Sequence, residues 1–525
     1  MVFKYSLLAL TAASLITASQ ANSCPPLGPT LPSTKTPSNS TIVQETILKI
    51  QEGLANFTSV LNYTAISIGV KSIHEDGPLF DWHYTPPIAD NRSVAKVDID
   101  TVYRGGSITK VFTTLTALKN SHIKGSDPVT KYLPQLKTDA LKNEGQLSFI
   151  PWDNITIEDL ASHVSGLGGD NLLHGLNEKP LVFRPHTTPV YSNIGIALLA
   201  LAVEAASNQT YETILTDTIL KPLSLTKTSI ATPAKGSGFI PLQEPTWGGD
   251  LGAYAAAGGI YTNTRDMLTF GTAILSDKVG IDTGSWLKPR AFTSSRGYSI
   301  GAPWEIWTTS TLLDSSVPVS IYTKSGDLGL YTNVLLLIPD YDLVISILTA
   351  GAEAAGTFQF PSQVISPVIQ ALVPALEKAN KEHAAANFAG EYIDKETNST
   401  LTLSIDDGPG LSLTNYTVRG FDVLSHIPSY GVGSKIQAFN VSGRVYPTNI
   451  REGEQWSWRA VYKNHDEPDV GDKLVYPDGD CQTWGLIDRK TYNYLALDDF
   501  TITTAEDGSA KSISPRPFGV TLKKV

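Results

Sequence analysis

Sulfur is scarce in this chain, with two cysteines and two methionines in 525 residues. Two thiols cannot build a four-thiolate zinc cage, and no H-E-x-x-H motif occurs, so no metal is expected. Charge is also sparse: Asp, Glu, Lys and Arg make up 17 % of the residues, the net charge is −11, and no long basic run is present. A chain of that balance has no electrostatic footprint for nucleic acid. The N-terminal apolar stretch from Tyr5 to Ile16 is too short for the ~20 residues of a spanning helix. It follows Lys4 and runs into small residues, with Ser19 and Ala21 placed for cleavage after Ala21, the layout of a secretory signal peptide. The expected product is a secreted, extracellular chain with no membrane anchor.

What is present is enough apolar material for a large core, 41 % of the residues, so global disorder is excluded. Sequons at Asn39, Asn56, Asn62, Asn91, Asn154, Asn208, Asn398, Asn415 and Asn440 mark expected glycosylation sites in a eukaryotic glycoprotein. The two cysteines, Cys24 and Cys481, both follow the cleavage point. In an oxidising compartment an even count invites a disulfide, the alternative being two free thiols.

Periodicity divides the chain into a signal peptide (1–21), a Pro/Ser/Thr-rich segment (22–41), a long domain of mixed helical and strand signals (42–385) and a β-rich tail (386–525). A helix is expected from Ile42 to about Leu61, followed by strands at 65–70 and near Phe80. Val364, Val368, Leu372 and Leu376 mark one helix face, which Pro367 and Pro374 should kink. Beyond Gly390 the period becomes two, with short strands expected around Trp456, Trp458, Trp484 and Tyr494. An all-β barrel or sandwich is predicted there.

Ser-x-x-Lys places a lysine one helical turn from a serine hydroxyl, and the pattern occurs four times, at Ser107/Lys110, Ser121/Lys124, Ser224/Lys227 and Ser285/Lys288. Only Ser107 follows a glycine pair and opens an apolar helix, with Ile108, Val111, Leu115 and Leu118 on its buried face. Backbone N–H groups at that helix start can stabilise an oxyanion. Downstream, Tyr191-Ser192-Asn193 precedes another apolar helix. A phenol near two ammonium groups is expected to be unusually acidic and able to relay protons, while an ordinary tyrosine at a helix start would look the same. Lys324-Ser325-Gly326-Asp327 then enters the strand Val334 to Ile338, which turns at Pro339-Asp340 into Leu343 to Leu348. A lysine there can anchor a substrate carboxylate, and the glycine allows close backbone approach. An edge lysine that only blunts association is the plainer reading.

The order Ser-x-x-Lys, Tyr-x-Asn, Lys-Ser-Gly resembles the active-site triplet of the β-lactamase and penicillin-binding-protein superfamily, in its class C β-lactamase, DD-peptidase and esterase-type branch. The segments 106–113, 155–167, 190–195 and 257–267 are similar to family text, and the resemblance spans about residues 45 to 380. The class A second element, Ser-Asp-Asn, is replaced here by Tyr191. The start at Cys24-Pro25-Pro26 and the β-rich tail look like those of secreted fungal β-lactamase-like proteins. The resemblance implies an α/β (α+β) fold: a β-lactamase-like antiparallel sheet flanked by helices with a helical insertion, plus a C-terminal all-β domain. It implies Ser107 as nucleophile, with Lys110 and Tyr191 sharing acid/base work and Asn193 and Lys324 orienting and polarising. The backbone amides of Ser107 and Asp327 would form the oxyanion hole. Ser325 stands where threonine is usual and Asp327 where a small residue is common; the extra carboxylate would repel an acidic substrate.

Gly297-Tyr298-Ser299-Ile300-Gly301 fits the G-x-S-x-G elbow, but Ala302-Pro303-Trp304 follows where that elbow needs a helix, so Ser299 is expected in a strand. His163 is expected to order a loop. The resulting expectation is a cofactor-free serine hydrolase acting on a small-molecule or peptide-like acyl substrate. A D-amino-acid peptidase, a natural-product acyltransferase and a silent binding protein are the alternatives on the same scaffold.

Overall fold

The computed structural model describes residues 24–137, 150–169, 176, 179–355, 359–430, 436–466 and 483–525. It comprises two compact units, Ser33–Glu382 and the combination of Met1–Pro32 with His383–Val525. The proposed signal peptide lies outside the described residues.

In the first unit, helix α1 (Thr41–Thr58) buries Val43, Ile50 and Leu54 along one stripe and leads into β1 (Ala65–Ser72) and β2 (Phe80–Tyr84). Helices α2 (Thr109–Lys119), α3 (Asn193–Ser207) and α4 (Thr264–Leu275) follow. Then come strands β3 (Ala291–Phe292), β4 (Tyr298–Ile300), β5 (Glu305–Thr309), β6 (Val319–Leu328), β7 (Tyr331–Ile338) and β8 (Leu343–Ala350). Helix α5 spans Gln359–Asn387. Among the described residues the strands form an eight-stranded sheet in the order β2-β1-β8-β7-β6-β5-β4-β3. Every pairing in it is antiparallel, as expected for Val334 to Leu348.

Strand periodicity makes this a three-layer structure. Leu336 and Ile338 of β7 join a core with Val43 and Ile50 of α1 and with Val364, Val368, Leu372 and Leu376 of α5. Their neighbours Leu335 and Leu337 face the opposite way, into a core with Phe112 of α2 and Phe270 of α4. Since successive side chains alternate across a strand, a strand covered on both faces has to be apolar throughout, and β7 and β8 are buried at every position. Pro367 and Pro374 sit inside one continuous helix. A further cluster, with Trp152, Leu160, Ile194 and Leu198, forms the helical insertion.

The β7–β8 connection stores a pH dependence. Burial, reinforced by neighbouring Asp342, raises the Asp340 carboxyl to about 6. A carboxyl that holds its proton more tightly in the folded state adds stability at low pH and loses it as pH rises from about 4 through 6. Asp340→Asn should therefore flatten the fall in urea midpoint between pH 4.5 and 7.5, an effect on the order of 2 kcal/mol. An unchanged slope would count against it.

In the second unit, strands β9 (Gly390–Asp394), β10 (Ser399–Ser404), β11 (Leu411–Val418), β12 (Phe421–Asp422), β13 (Val441–Glu452) and β14 (Gln455–Asn464) are followed by β15 (Asp499–Thr504), β16 (Ala510–Pro515) and β17 (Leu522–Lys524). The order β10-β9-β17-β16-β15-β14-β13-β11 closes through a β10–β11 pairing, and β12 adds to β11. This is a barrel, and closure removes the exposed edges a sandwich would retain. Leu401, Leu413, Tyr416, Trp456, Trp458 and Phe500 fill it. Trp484 departs from its expected strand, whereas short strands at Thr491–Tyr492 and Leu495–Ala496 pair on either side of Tyr494. Trp484 is 89 % exposed on a short helix, Thr483–Leu486, and Tyr494 is 98 % exposed at a turn with φ +66°. Neither side chain has a core to enter.

Candidate active site

Ser107 lies on a 3-10 turn, Gly106–Ile108, that passes directly into α2. Gly106 has φ +55°, a conformation open to glycine and strained for other residues. Lys110 is fully buried, and its Nζ donates to Ser107 Oγ at 2.8 Å and to the Ala257 carbonyl at 2.7 Å. Ile108, Val111 and Leu115 are buried as expected, whereas Leu118 is 46 % exposed. The last turn of α2 has left the core by that residue.

Tyr191 immediately precedes Ser192, the N-cap of α3, whose hydroxyl accepts from Gly195 N. The Tyr191 ring has Lys110 Nζ 4.8 Å and Lys324 Nζ 5.2 Å from its centroid and lines the same cleft as Ser107. His163 stacks on it with centroids 4.8 Å apart. The same histidine accepts from Ser192 N through Nδ1 (3.1 Å), and its carbonyl accepts from Val190 N (2.7 Å). It orders the loop that presents Tyr191. Burial first, then Lys110 and Lys324, hold the imidazole well below its ordinary pKa, so it is neutral. The expectation of an unusually acidic phenol is overturned. Burial raises the Tyr191 pKa by more than Lys324 and Ser107 lower it, and Glu305 and Asp327 push the same way as burial.

Glu305 also decides the state of Lys324. The lysine is fully buried in β6, and its ammonium donates to Glu305 Oε1 (2.5 Å) and the Ser325 carbonyl (3.0 Å). Ser325 donates to the same carboxylate through its backbone N (2.9 Å) and its hydroxyl (3.0 Å). Burial pulls the Lys324 pKa down, but Glu305 and then Tyr191 outweigh it, and the net direction is up. The ammonium is thus a neutralised structural cation.

Gly326 brings this strand against the turn that carries Ser107. A Cβ at Gly326 would stand 2.2 Å from the Gly105 carbonyl oxygen and 2.9 Å from Ile108 N, and one at Gly106 would stand 2.8 Å from Asp327 N. The main chains of Ser107 and Asp327 therefore flank one small space. Asp327 is an exposed residue at this point of the strand.

Ser107, Tyr191, Asn193, Ser325 and Asp327 share one cleft of about 950 Å³, whose wall also includes Glu305, Tyr298 and Trp307. Sequence reading missed those last three. Tyr298 and Trp307 are cross-strand partners stacked 4.2 Å apart, and the only local signal was strand-like alternation. Ser299 lies in β4, in a strand as expected, with no helix after it. Of the nine sequon asparagines, all are exposed except the half-buried Asn415, whose Nδ2 donates to Thr400 Oγ1 at 2.8 Å. Cys481 lies outside the described residues. Among the described residues no helix is long and apolar enough to cross a membrane.

A serine on a helix-entry turn, a lysine within hydrogen-bond reach and a tyrosine opposite, on an antiparallel sheet covered by helices, define a class of enzyme fold. Residues 59–364 match the beta-lactamase family model, and residues 380–525 match that of a beta-lactamase-like C-terminal domain. The chain belongs to the beta-lactamase family. It is 26 % identical to a beta-lactamase-like protein of Arthroderma benhamiae over 95 % of each chain. It is also 25 % identical to the probable hydrolase clz13 of Cochliobolus lunatus, over 96 % of this chain and 92 % of the other. A beta-lactamase/D-alanine carboxypeptidase from Yersinia pestis superposes with a TM-score of 0.52 at 18 % identity, covering 64 % of this chain and 99 % of that one. That likeness is one of fold.

Proposed function

We propose that this chain is a secreted serine hydrolase that cleaves an ester, amide or lactam bond through an acyl-enzyme on Ser107. The observation that carries the reading is the 2.8 Å hydrogen bond from Lys110 Nζ to Ser107 Oγ, with Tyr191 beside both in the same cleft. In this reading Lys110, in its neutral amine form, takes the proton of the serine hydroxyl and becomes an ammonium as the serine oxygen attacks the substrate carbonyl. Tyr191, held protonated by burial, passes a proton to the leaving group. The amides of Ser107 and Asp327 receive the oxyanion, and Asn193 orients the acyl group. Water then releases the acid. Labelling with a fluorophosphonate probe and mapping the modified peptide tests the assignment. A label on Ser107 supports it, and one on Ser299 alone would overturn it.

Secretion and glycosylation of the exposed sequons belong to the same proposal, as does a Cys24–Cys481 disulfide. Thr483, two residues beyond Cys481, donates to the Cys24 carbonyl at 2.6 Å, which brings the two cysteine-bearing segments together. A bond closing so long a loop would stabilise by up to ~5 kcal/mol in chain-entropy models. Two titratable thiols in the native secreted protein would refute it.

A further inference from the structure

The cleft has an unbalanced surface. Glu305 and Asp327 are among its lining residues, and the described lining includes no lysine, arginine or histidine. The cations closest to the reacting serine, Lys110 and Lys324, are both fully buried, and Lys324 is paired with Glu305. A substrate carboxylate entering this cleft would meet the Asp327 carboxylate, and the lysine that could have received it is already neutralised by Glu305. Opposite in effect is the aromatic wall. Trp307 is 49 % exposed and stacks on Tyr298, and aromatic rings beside carboxylates are the surroundings that favour an ammonium group.

We infer that the enzyme takes esters or amides bearing an ammonium group and no carboxylate, with Glu305 and Asp327 as the specificity-determining residues. The inference rests on the reading of Ser107 as nucleophile. Glu305 acts through its pairing: it cancels the charge of Lys324 and so withholds that lysine from anionic substrates. Asp327 adds charge at an exposed position next to the carbonyl-binding space. Tyr298 and Trp307 supply the ring surface.

The test uses three 4-nitrophenyl esters of similar length, those of pentanoic acid, glutaric acid (as the half-ester) and 4-(trimethylammonio)butyric acid, with the full-length secreted protein. Two quantities are measured: hydrolysis, and protection of Ser107 from a neutral fluorophosphonate probe. The expected order is ammonium above neutral above carboxylate, with kcat/KM for the ammonium ester ~10-fold or more above that of the carboxylate ester at low salt, narrowing as salt is added. Glu305→Gln should shrink that ratio several-fold by raising the rate on the carboxylate ester. Asp327→Asn, altered at an exposed residue, should shrink it in the same direction, and it carries the test if Glu305→Gln does not fold. If Ser107 is labelled but the three esters react and protect equally, or both variants leave the ratio unchanged, the charge selection is wrong while the serine assignment stands. If Ser107 is not labelled and no ester is hydrolysed, the serine assignment falls and takes the charge selection with it.

Discussion

Ser107→Ala is expected to abolish both turnover and fluorophosphonate labelling, a loss of at least ~10³-fold in kcat, while Ser299→Ala retains most of both. Ser107 stands at a helix entry with Lys110 Nζ 2.8 Å from its oxygen; Ser299 lies in a short strand and is not among the cleft-lining residues. Alanine at 107 removes only the hydroxyl oxygen and does not enlarge the side chain, so folding should survive. An unchanged thermal midpoint with lost labelling is the expected combination. The same probe separates the roles of the partners. Tyr191→Phe should slow hydrolysis of a poor leaving group while labelling by an activated reagent continues, because an activated leaving group needs little proton assistance. Wild-type ester hydrolysis by Ser107→Ala would sink the mechanism.

Gly326→Ala is the second large effect. It adds one methyl at a point where the new carbon would be 2.2 Å from the Gly105 carbonyl oxygen and 2.9 Å from Ile108 N. Backbone stands on both sides of that point, so no flexible side-chain end can move away. The strand and the nucleophile turn have to separate, which moves Ser107 relative to the Asp327 amide, and misplacement near 1 Å can cost ~10²-fold in rate. Overpacking of this kind also destabilises by ~1–3 kcal/mol. The expected result is therefore a folded protein with a lowered thermal midpoint and kcat reduced far more than that midpoint explains. A variant with native kcat would show that the close approach has no catalytic consequence.

Parts of this molecule could be read directly because their signals are local. Ser107 and Lys110 are three residues apart on one turn, and Tyr191 directly precedes a helix cap. The apolar runs of β7 and β8 are continuous because both faces of those strands are covered. The period-two tail required a β structure, but alternation is the same in a barrel and a sandwich. Closure was decided by the β10–β11 pairing. Trp484 misled because aromatic residues favour strands on average, and its exposure depends on which core is within reach.

The state of the site depends on contacts across strands. Glu305 and Lys324 are separated by 19 residues and meet only because β5 and β6 pair side by side, with Glu305 opposite Thr323. Tyr191 was expected to be acidic from its lysine neighbours; its acidity went the other way because burial and Glu305 act on it together. By itself the sequence determined the order and local spacing of the candidate site residues and the antiparallel sheet, since each follows from spacing along one turn or from alternation along one strand. Only the tertiary structure decided the charge of the cleft, because desolvation and pairing between distant carboxylates and ammonium groups exist only after the chain has brought them together.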